Sequence, residues 1–270
     1  MRTVLIPIAL AFVAAGCAGG DGASDDGRAT VVTAFFPLAE AARLVDPDAD
    51  VVDLTPPGVE PHDLELTTDQ VDELLDADLA VVLGGGFQPA VEDVADDRDG
   101  PTVRVLDDLD VDGDDPHVWL DPTVMAEIVG LIAEALRSEP PDVSSFAALD
   151  ERFSSALSSC ERDLIVASHD AYSRMASRYG LRLEAIEGLV PEAEPDAARL
   201  DELAELVERE RVTTVFVEPL LPRAAAETLA RETGASIAEL DPLESDPGVS
   251  YIEAMDRNLD ALREGLSCAG

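Results

Sequence analysis

Short apolar runs alternate with segments of helical periodicity along almost the whole of this 270-residue chain, and this alternation constrains the fold most. Such alternation is typical of α/β folds built on mostly parallel sheets. Each short apolar run is a candidate strand. We predict strands at residues 30–34, 51–54, 79–83, 102–106, 164–168, 181–186, 212–217 and 236–240.

The predicted strands form two groups of four, separated by helical sequence. We therefore predict an N-terminal α/β lobe at 30–137, a connecting helical region at 138–160 and a C-terminal α/β lobe at 161–270. Each lobe should contain a roughly four-stranded, mostly parallel sheet flanked by helices. Ligands of open α/β sheets lie beyond the carboxyl ends of the strands, so a cleft between the lobes is the expected site.

The first thirty residues predict export. Arg2 precedes an apolar run at residues 4–15, and small residues then lead to Cys17. This pattern resembles the lipobox of bacterial lipoproteins, which predicts a signal peptide at 1–16, lipid on Cys17 and a flexible tether at 17–29. An ordinary secretory signal peptide is the alternative. The lipoprotein hypothesis places the chain on the outer face of the bacterial cell membrane.

Cys160 and Cys268 are the remaining cysteines. An even pair in an exported protein predicts a disulfide bond. The alternative is two unpaired cysteines that pack as small hydrophobic residues.

The formal net charge of −40 comes from 58 acidic and 18 basic residues. Such a chain is not expected to bind nucleic acid, whose phosphates require basic partners. An acidic surface attracts cations, but it also suits life in high salt. A metal-binding hypothesis therefore depends on particular residues and not on the charge.

The three histidines of the chain, His62, His117 and His169, lie in loops at or near predicted strand ends, and Asp241 directly follows the last strand. Three neutral imidazoles and one carboxylate make a tetrahedral set that suits zinc. Neighbouring acids could orient the rings. The candidates for that role are Glu60, Asp63, Asp121 and Asp170.

Glu218 ends a predicted strand beside Pro219 and could approach the same site or replace Asp241 as a ligand, while a structural role is the alternative. The aspartate-rich stretch at 107–115 precedes His117. We favour a solvated acidic loop over a weak metal-collecting loop for this stretch.

Taken in order, segments from about residue 30 to 268 resemble the metal-binding receptors of zinc and manganese ABC importers. The resemblance rests on residues 58–65 (GVEPHDLE), 116–122 (PHVWLDP), 168–172 (SHDAY), 178–181 (RYGL), 191–195 (PEAEP), 216–219 (FVEP), 240–243 (LDPL) and 255–259 (MDRNL).

The resemblance implies two lobes joined by a rigid connecting helix, with one Zn(II) per chain between them. It assigns the ligands to His62, His117, His169 and Asp241. By their positions in the sequence, Glu60 and Glu218 are candidates for orienting partners or alternative ligands. It also implies a monomeric receptor whose partners are an ABC permease and its ATPase. Manganese and iron members tend to have a carboxylate in the place of His169, so Zn(II) is favoured over Mn(II).

Alternative functions are a manganese or iron receptor of the same family, a zinc-dependent hydrolase and a surface adhesin. A catalytic zinc needs an open coordination position, which Asp241 would occupy, and the chain has no HExxH motif. We therefore predict that the chain is not an enzyme.

Overall fold

The computed structural model describes residues 28–109, 115–191 and 197–269. The predicted signal peptide, Cys17 and all but the end of the predicted tether lie outside these residues. Within the described ranges, no helix combines the length and the apolar character needed to cross a membrane.

The first sheet has four parallel strands in the order β2-β1-β3-β4. Its central strands are apolar and almost completely buried, as expected for a parallel sheet covered on both faces. The elements of this half are β1 (Thr30–Thr33), α1 (Phe36–Val45), β2 (Asp50–Asp53), α2 (Thr68–Asp76), β3 (Leu79–Val82), α3 (Pro89–Asp96), β4 (Thr102–Arg104) and α4 (Val105–Asp108).

Local sequence signals fix several of these boundaries. At α2, the Thr67 side chain accepts from the Gln70 amide and the Gln70 side chain accepts from the Thr67 amide, which together form a capping box. The predicted strand at 102–106 is shorter in the structure. Its last residues turn into α4, where the Arg104 amide donates to the Asp108 carboxylate over 2.9 Å.

A helical layer connects the two halves. A single 3₁₀ turn at Val118–Leu120 leads into α5 (Pro122–Leu136), which is followed by α6 (Ser144–Leu157). Helix α5 packs against α1 and the first sheet, while α6 packs against α5 and against the last helix of the chain.

The second sheet repeats the order of the first, β6-β5-β7-β8, again with parallel strands. The two α/β sheets flanked by helices confirm the predicted fold class, whereas the exact lobe boundaries stay predictions. The elements of this half are β5 (Leu164–Ala167), α7 (Ser173–Arg178), β6 (Arg182–Ala185), α8 (Ala197–Glu210), β7 (Thr214–Val217), α9 (Ala224–Thr233), β8 (Ser236–Glu239) and α10 (Tyr251–Gly265).

One hydrophobic core extends through both halves. It includes Val31 and Trp119 from the first half together with Tyr172 and Leu240 from the second, all with at most a trace of exposed surface. A shared core of this kind resists relative movement of the two sheets, because interiors are close-packed.

The C-terminal end of the chain is fixed in two ways. Cys160 and Cys268 form a disulfide, as the sequence predicts. Helix α10 also approaches β7 closely at Gly265, where a Cβ atom would lie 2.5 Å from the ring of Phe216. A side chain at position 265 would therefore push the helix away from the sheet.

Candidate metal centre

The candidate centre lies where loops from both halves meet. His169 follows β5, Glu218 follows β7 and Glu244 lies in the loop after β8, so all three come from the carboxyl-terminal edge of the second sheet. His62 lies between β2 and α2, and His117 immediately precedes the 3₁₀ turn.

Four of these side chains converge on one point. His62, His117, His169 and Glu244 each offer a ligand atom, and these atoms lie within 4.8 Å of one another. The Oε1 atom of Glu244 is 3.5, 3.3 and 3.6 Å from the Nε2 atoms of His62, His117 and His169, respectively. His62 is 8% exposed and the other three are at most 3% exposed. Three imidazole nitrogens around one carboxylate oxygen form the donor set of a tetrahedral zinc site.

Carboxylates behind two of the rings fix their orientation. Asp115 Oδ1 lies 2.8 Å from His117 Nδ1 and accepts from the His117 amide over 3.0 Å. Glu218 Oε2 lies 2.6 Å from His169 Nδ1, and its other oxygen accepts from the His169 amide over 3.2 Å. Because each Nδ1 is bonded to a carboxylate, Nε2 is the nitrogen available to a metal.

His62 is positioned differently. Its amide donates to Glu60 Oε2 over 3.0 Å, and its ring packs against Phe87 with the ring centroids 4.3 Å apart. Glu60 Oε1 lies 4.0 Å from His62 Nε2. Glu60 is therefore a neighbour of this nitrogen atom, and its role as an orienting acid stays a prediction.

The structure changes the fourth member of the predicted ligand set. Asp241 lies outside the convergent group found among the described residues, and Glu244 takes its place. The Asp241 carboxylate instead accepts from the Leu243 amide over 2.8 Å, within its own turn. Glu244, the next carboxylate along the loop, has its Oε1 atom 3.3–3.6 Å from the three histidine Nε2 atoms.

Three of the predicted orienting acids make other contacts. Asp121 accepts from the Thr123 amide and so caps α5, and Asp170 accepts from the Ser173 hydroxyl. Asp63 donates a backbone hydrogen bond to Glu60. Ring orientation falls instead to Asp115 and to Glu218, the acid whose role the sequence left open.

Sequence reasoning missed Asp115 and Glu244. Asp115 belongs to the aspartate-rich stretch that was predicted to be a solvated loop, and residues 110–114 of that stretch lie outside the described ranges. The available signal was its position two residues before His117, a spacing at which a carboxylate bonds the following backbone amide. Glu244 had no comparable signal, because its histidine partners all lie far from it in the sequence.

Charges inside the centre shift the pKa values strongly. Burial alone would raise the pKa of the Glu244 carboxyl, but hydrogen bonds to His117 and His62 and the charges of the imidazoles lower it to about 2. Burial would lower the pKa of His117, but Asp115 and Glu244 raise it to about 9. Burial likewise opposes the charge on His169, while Glu218 and Glu244 raise its pKa above the usual value. Without a metal, the His117 imidazole is therefore protonated at neutral pH.

Metal binding should consequently release protons. We expect a divalent ion bound at pH 7.5 to displace about one to two protons, because imidazole must be neutral to ligate. Since the pKa of His117 is raised, the apparent affinity should strengthen from pH 6 to pH 9, by about tenfold per pH unit for each proton released. Calorimetry of zinc binding in buffers of different ionisation enthalpy measures the number of protons released.

A matched variant tests whether the carboxylate beside His117 causes this proton release. Asp115→Asn removes a charge that raises the pKa of His117, so it should release fewer protons than the parent at pH 7.5. A binding enthalpy that is the same in every buffer would contradict proton displacement.

The comparisons with known proteins identify the family. Residues 31–265 match the family described as "ZnuA: Zinc-uptake complex component A periplasmic". The chain belongs to the ZnuA family. Among its relatives, the zinc-binding lipoprotein AdcA of Streptococcus pneumoniae serotype 4 is 32% identical, over 88% of this chain and 56% of the relative. The chain thus spans about half the length of that relative.

Other relatives match the ZnuA-like chain along most of their length. The high-affinity zinc uptake system protein ZnuA of Bacillus subtilis is 28% identical, over 92% of this chain and 90% of its own. The Zn(II)-bound ZnuA-like domain of S. pneumoniae AdcA superposes with a TM-score of 0.75 at 32% identity, covering 89% of this chain and 99% of the domain. The laminin-binding protein Lmb of Streptococcus agalactiae, described as having adhesin and metal-transporting activity, gives a TM-score of 0.80 at 27% identity, with 88% and 99% covered.

Proposed function

We propose that this chain is an extracytoplasmic receptor that captures one Zn(II) and delivers it to an ABC importer. The observation that supports this proposal is the buried group of His62, His117, His169 and Glu244, whose ligand atoms face one another. The zinc-related names of the ZnuA and AdcA relatives agree with it. In this proposal the four side chains are the zinc ligands, and the ion is cargo.

The donor set favours a receptor over a hydrolase. A catalytic zinc has three protein ligands and an open position for water, whereas four protein donors close a tetrahedral site. Here the fourth donor is Glu244, which is 3% exposed. We propose that the chain has no enzymatic activity.

The same donors favour zinc over manganese. Imidazole suits zinc, while manganese prefers carboxylate, carbonyl and water oxygens in octahedral sites. The centre has three nitrogens and one oxygen among its ligand atoms.

A cavity of about 360 Å³ beside His62, lined also by Gly86, Phe87 and Arg174, gives the ion a route to the centre.

The proposal also includes the place of the chain in the cell. The lipobox-like segment before Cys17 supports lipid anchoring to the outer face of the cell membrane, and the AdcA relative is named a lipoprotein. An ABC permease with its ATPase is then the partner, and we propose that the receptor acts as a monomer.

Growth under zinc limitation tests the function. We expect a strain that lacks this chain to grow poorly with a zinc chelator present, and to recover when zinc, but not manganese, is added. The gene for the parent chain should restore growth, while the gene for His117→Ala should not. Failure of added zinc to restore growth would contradict a role in zinc uptake and would favour the adhesin alternative.

A further inference from the structure

The turn that precedes Glu244 is fixed by a buried amide. The Asp241 amide donates to Asn258 Oδ1 over 2.9 Å, and Asn258 Nδ2 donates to the Asp241 carbonyl over 2.6 Å. Asn258 lies on α10 and is 3% exposed. Because both backbone groups of Asp241 are bonded to one buried side chain, the start of the loop has a single position.

The Asp241 side chain fixes the next part of the loop, at Leu243. Its Oδ1 atom accepts from the Leu243 amide over 2.8 Å, two residues further along the chain. Leu243 is completely buried and has a φ of 59°, in the left-handed region that residues with a Cβ atom normally avoid. An acceptor two residues earlier stabilises such a turn, so the Asp241 carboxylate helps to maintain the unusual backbone at Leu243.

The turn is also bonded to the segments that bear two of the histidines. Trp119, two residues after His117, donates from Nε1 to the Pro242 carbonyl over 2.7 Å. Tyr172, three residues after His169, donates from its hydroxyl to the Leu240 carbonyl over 2.7 Å. Both aromatic side chains are fully buried. The carboxylate turn and the two histidine segments therefore form one connected unit.

We propose that Asp241 is a positioning residue that, together with Asn258, sets the turn and so directs Glu244 Oε1 to the three imidazole nitrogens. This proposal rests on the zinc site proposed above. It gives Asp241 an indirect role, through the Leu243 amide, and no direct bond to the metal. A fixed Glu244 also favours a small tetrahedral ion, because a larger coordination number requires the ligands to rearrange.

Two substitutions at one position test the role. Asp241→Ala removes the acceptor for the Leu243 amide, and we expect zinc affinity to fall by about 10- to 100-fold, the usual effect of losing a partner of a metal ligand. The preference for zinc over manganese should fall as well. Asp241→Asn keeps an oxygen at the same place, so it should bind zinc within about threefold of the parent.

The affinities are measured by chelator competition with zinc and with manganese. The visible absorption of bound Co(II) is the second measurement, because it reports coordination geometry and not stability. We expect the parent spectrum from Asp241→Asn and a changed band from Asp241→Ala. If Asp241→Ala does not fold, Asp241→Asn alone distinguishes a positioning role from a ligand role. A positioning role predicts that this variant retains zinc binding, whereas a ligand role predicts that it loses zinc binding.

The outcomes separate this inference from the proposed function. A parent chain that binds neither metal overturns the proposed function, and the positioning role with it. A parent that binds zinc tightly, with equal losses in both variants or no loss in Asp241→Ala, overturns only the positioning role.

Discussion

Glu244→Gln is expected to weaken zinc binding by more than about a hundredfold. Glu244 supplies the only carboxylate oxygen among the four convergent ligand atoms. The amide that replaces it is neutral and a much poorer zinc ligand. Three imidazoles would then bind the ion without a compensating charge.

Asp246→Asn is the matched control for this change. Asp246 is an exposed carboxylate two residues along the same loop, and it accepts only from the nearby Gly248 amide among the hydrogen bonds described for its side chain. Its replacement should leave zinc affinity within about threefold. Competition with a chelator of known affinity measures both variants. Equal affinity of Glu244→Gln and the parent would contradict the assignment of Glu244 as a ligand.

Removing the disulfide is expected to lower the free energy of unfolding by about 2–5 kcal/mol. The bond joins residues that are 108 positions apart, so its loss frees a long loop in the unfolded chain. The double variant Cys160→Ala and Cys268→Ala, unfolded by denaturant, gives this free energy. A reducing agent should destabilise the parent by a similar amount and leave the double variant unchanged, which makes it the control.

Zinc affinity should not fall when the disulfide is removed, although the free energy of unfolding does. Cys160 precedes β5, whereas His169 follows the strand, so the length of the strand, about 13 Å, separates them. We expect the folded double variant to bind zinc within about threefold of the parent. Unchanged stability of the double variant would contradict a structural role of the bond, and a large loss of zinc affinity would contradict its separation from the centre.

The sequence predicts most of the fold because its local signals agree with one another. The helix at Pro122–Leu136 begins with a proline after a capping aspartate, a signal that is visible in the sequence. The capping box at Thr67 and Gln70 fixes α2 in the same way. The strand at 102–106 is the exception, because a side-chain bond from Asp108 turns its last residues into α4.

The candidate centre shows where prediction from sequence ends. All three histidines converge because the loops that carry them, from both halves of the chain, meet at the centre. The choice between Asp241 and Glu244 depends on the left-handed backbone at Leu243 and on the bonds of Asn258 and Trp119 to this turn. These are contacts between residues far apart in the chain, and a pattern of neighbouring residues does not contain them.

The same limit applies to Asp115. Among the many aspartates before His117, composition alone indicates solvation. The spacing of two residues allows the bond of Asp115 to the His117 amide, and the fold adds a second bond, in which the carboxylate accepts from the Arg174 amide of α7 over 3.1 Å. Arg174, from the second half of the chain, thus helps to hold Asp115, the acid that orients His117 from the first half.

Anomalous X-ray diffraction from crystals of the zinc-loaded chain, recorded on both sides of the zinc absorption edge, tests the central claim most directly. We expect one zinc peak per chain, about 2.0–2.2 Å from the Nε2 atoms of His62, His117 and His169 and from a carboxylate oxygen of Glu244. Asp241 should remain bonded to the Leu243 amide. A peak bound by Asp241 in place of Glu244, or a zinc position away from the three histidines, would contradict the account.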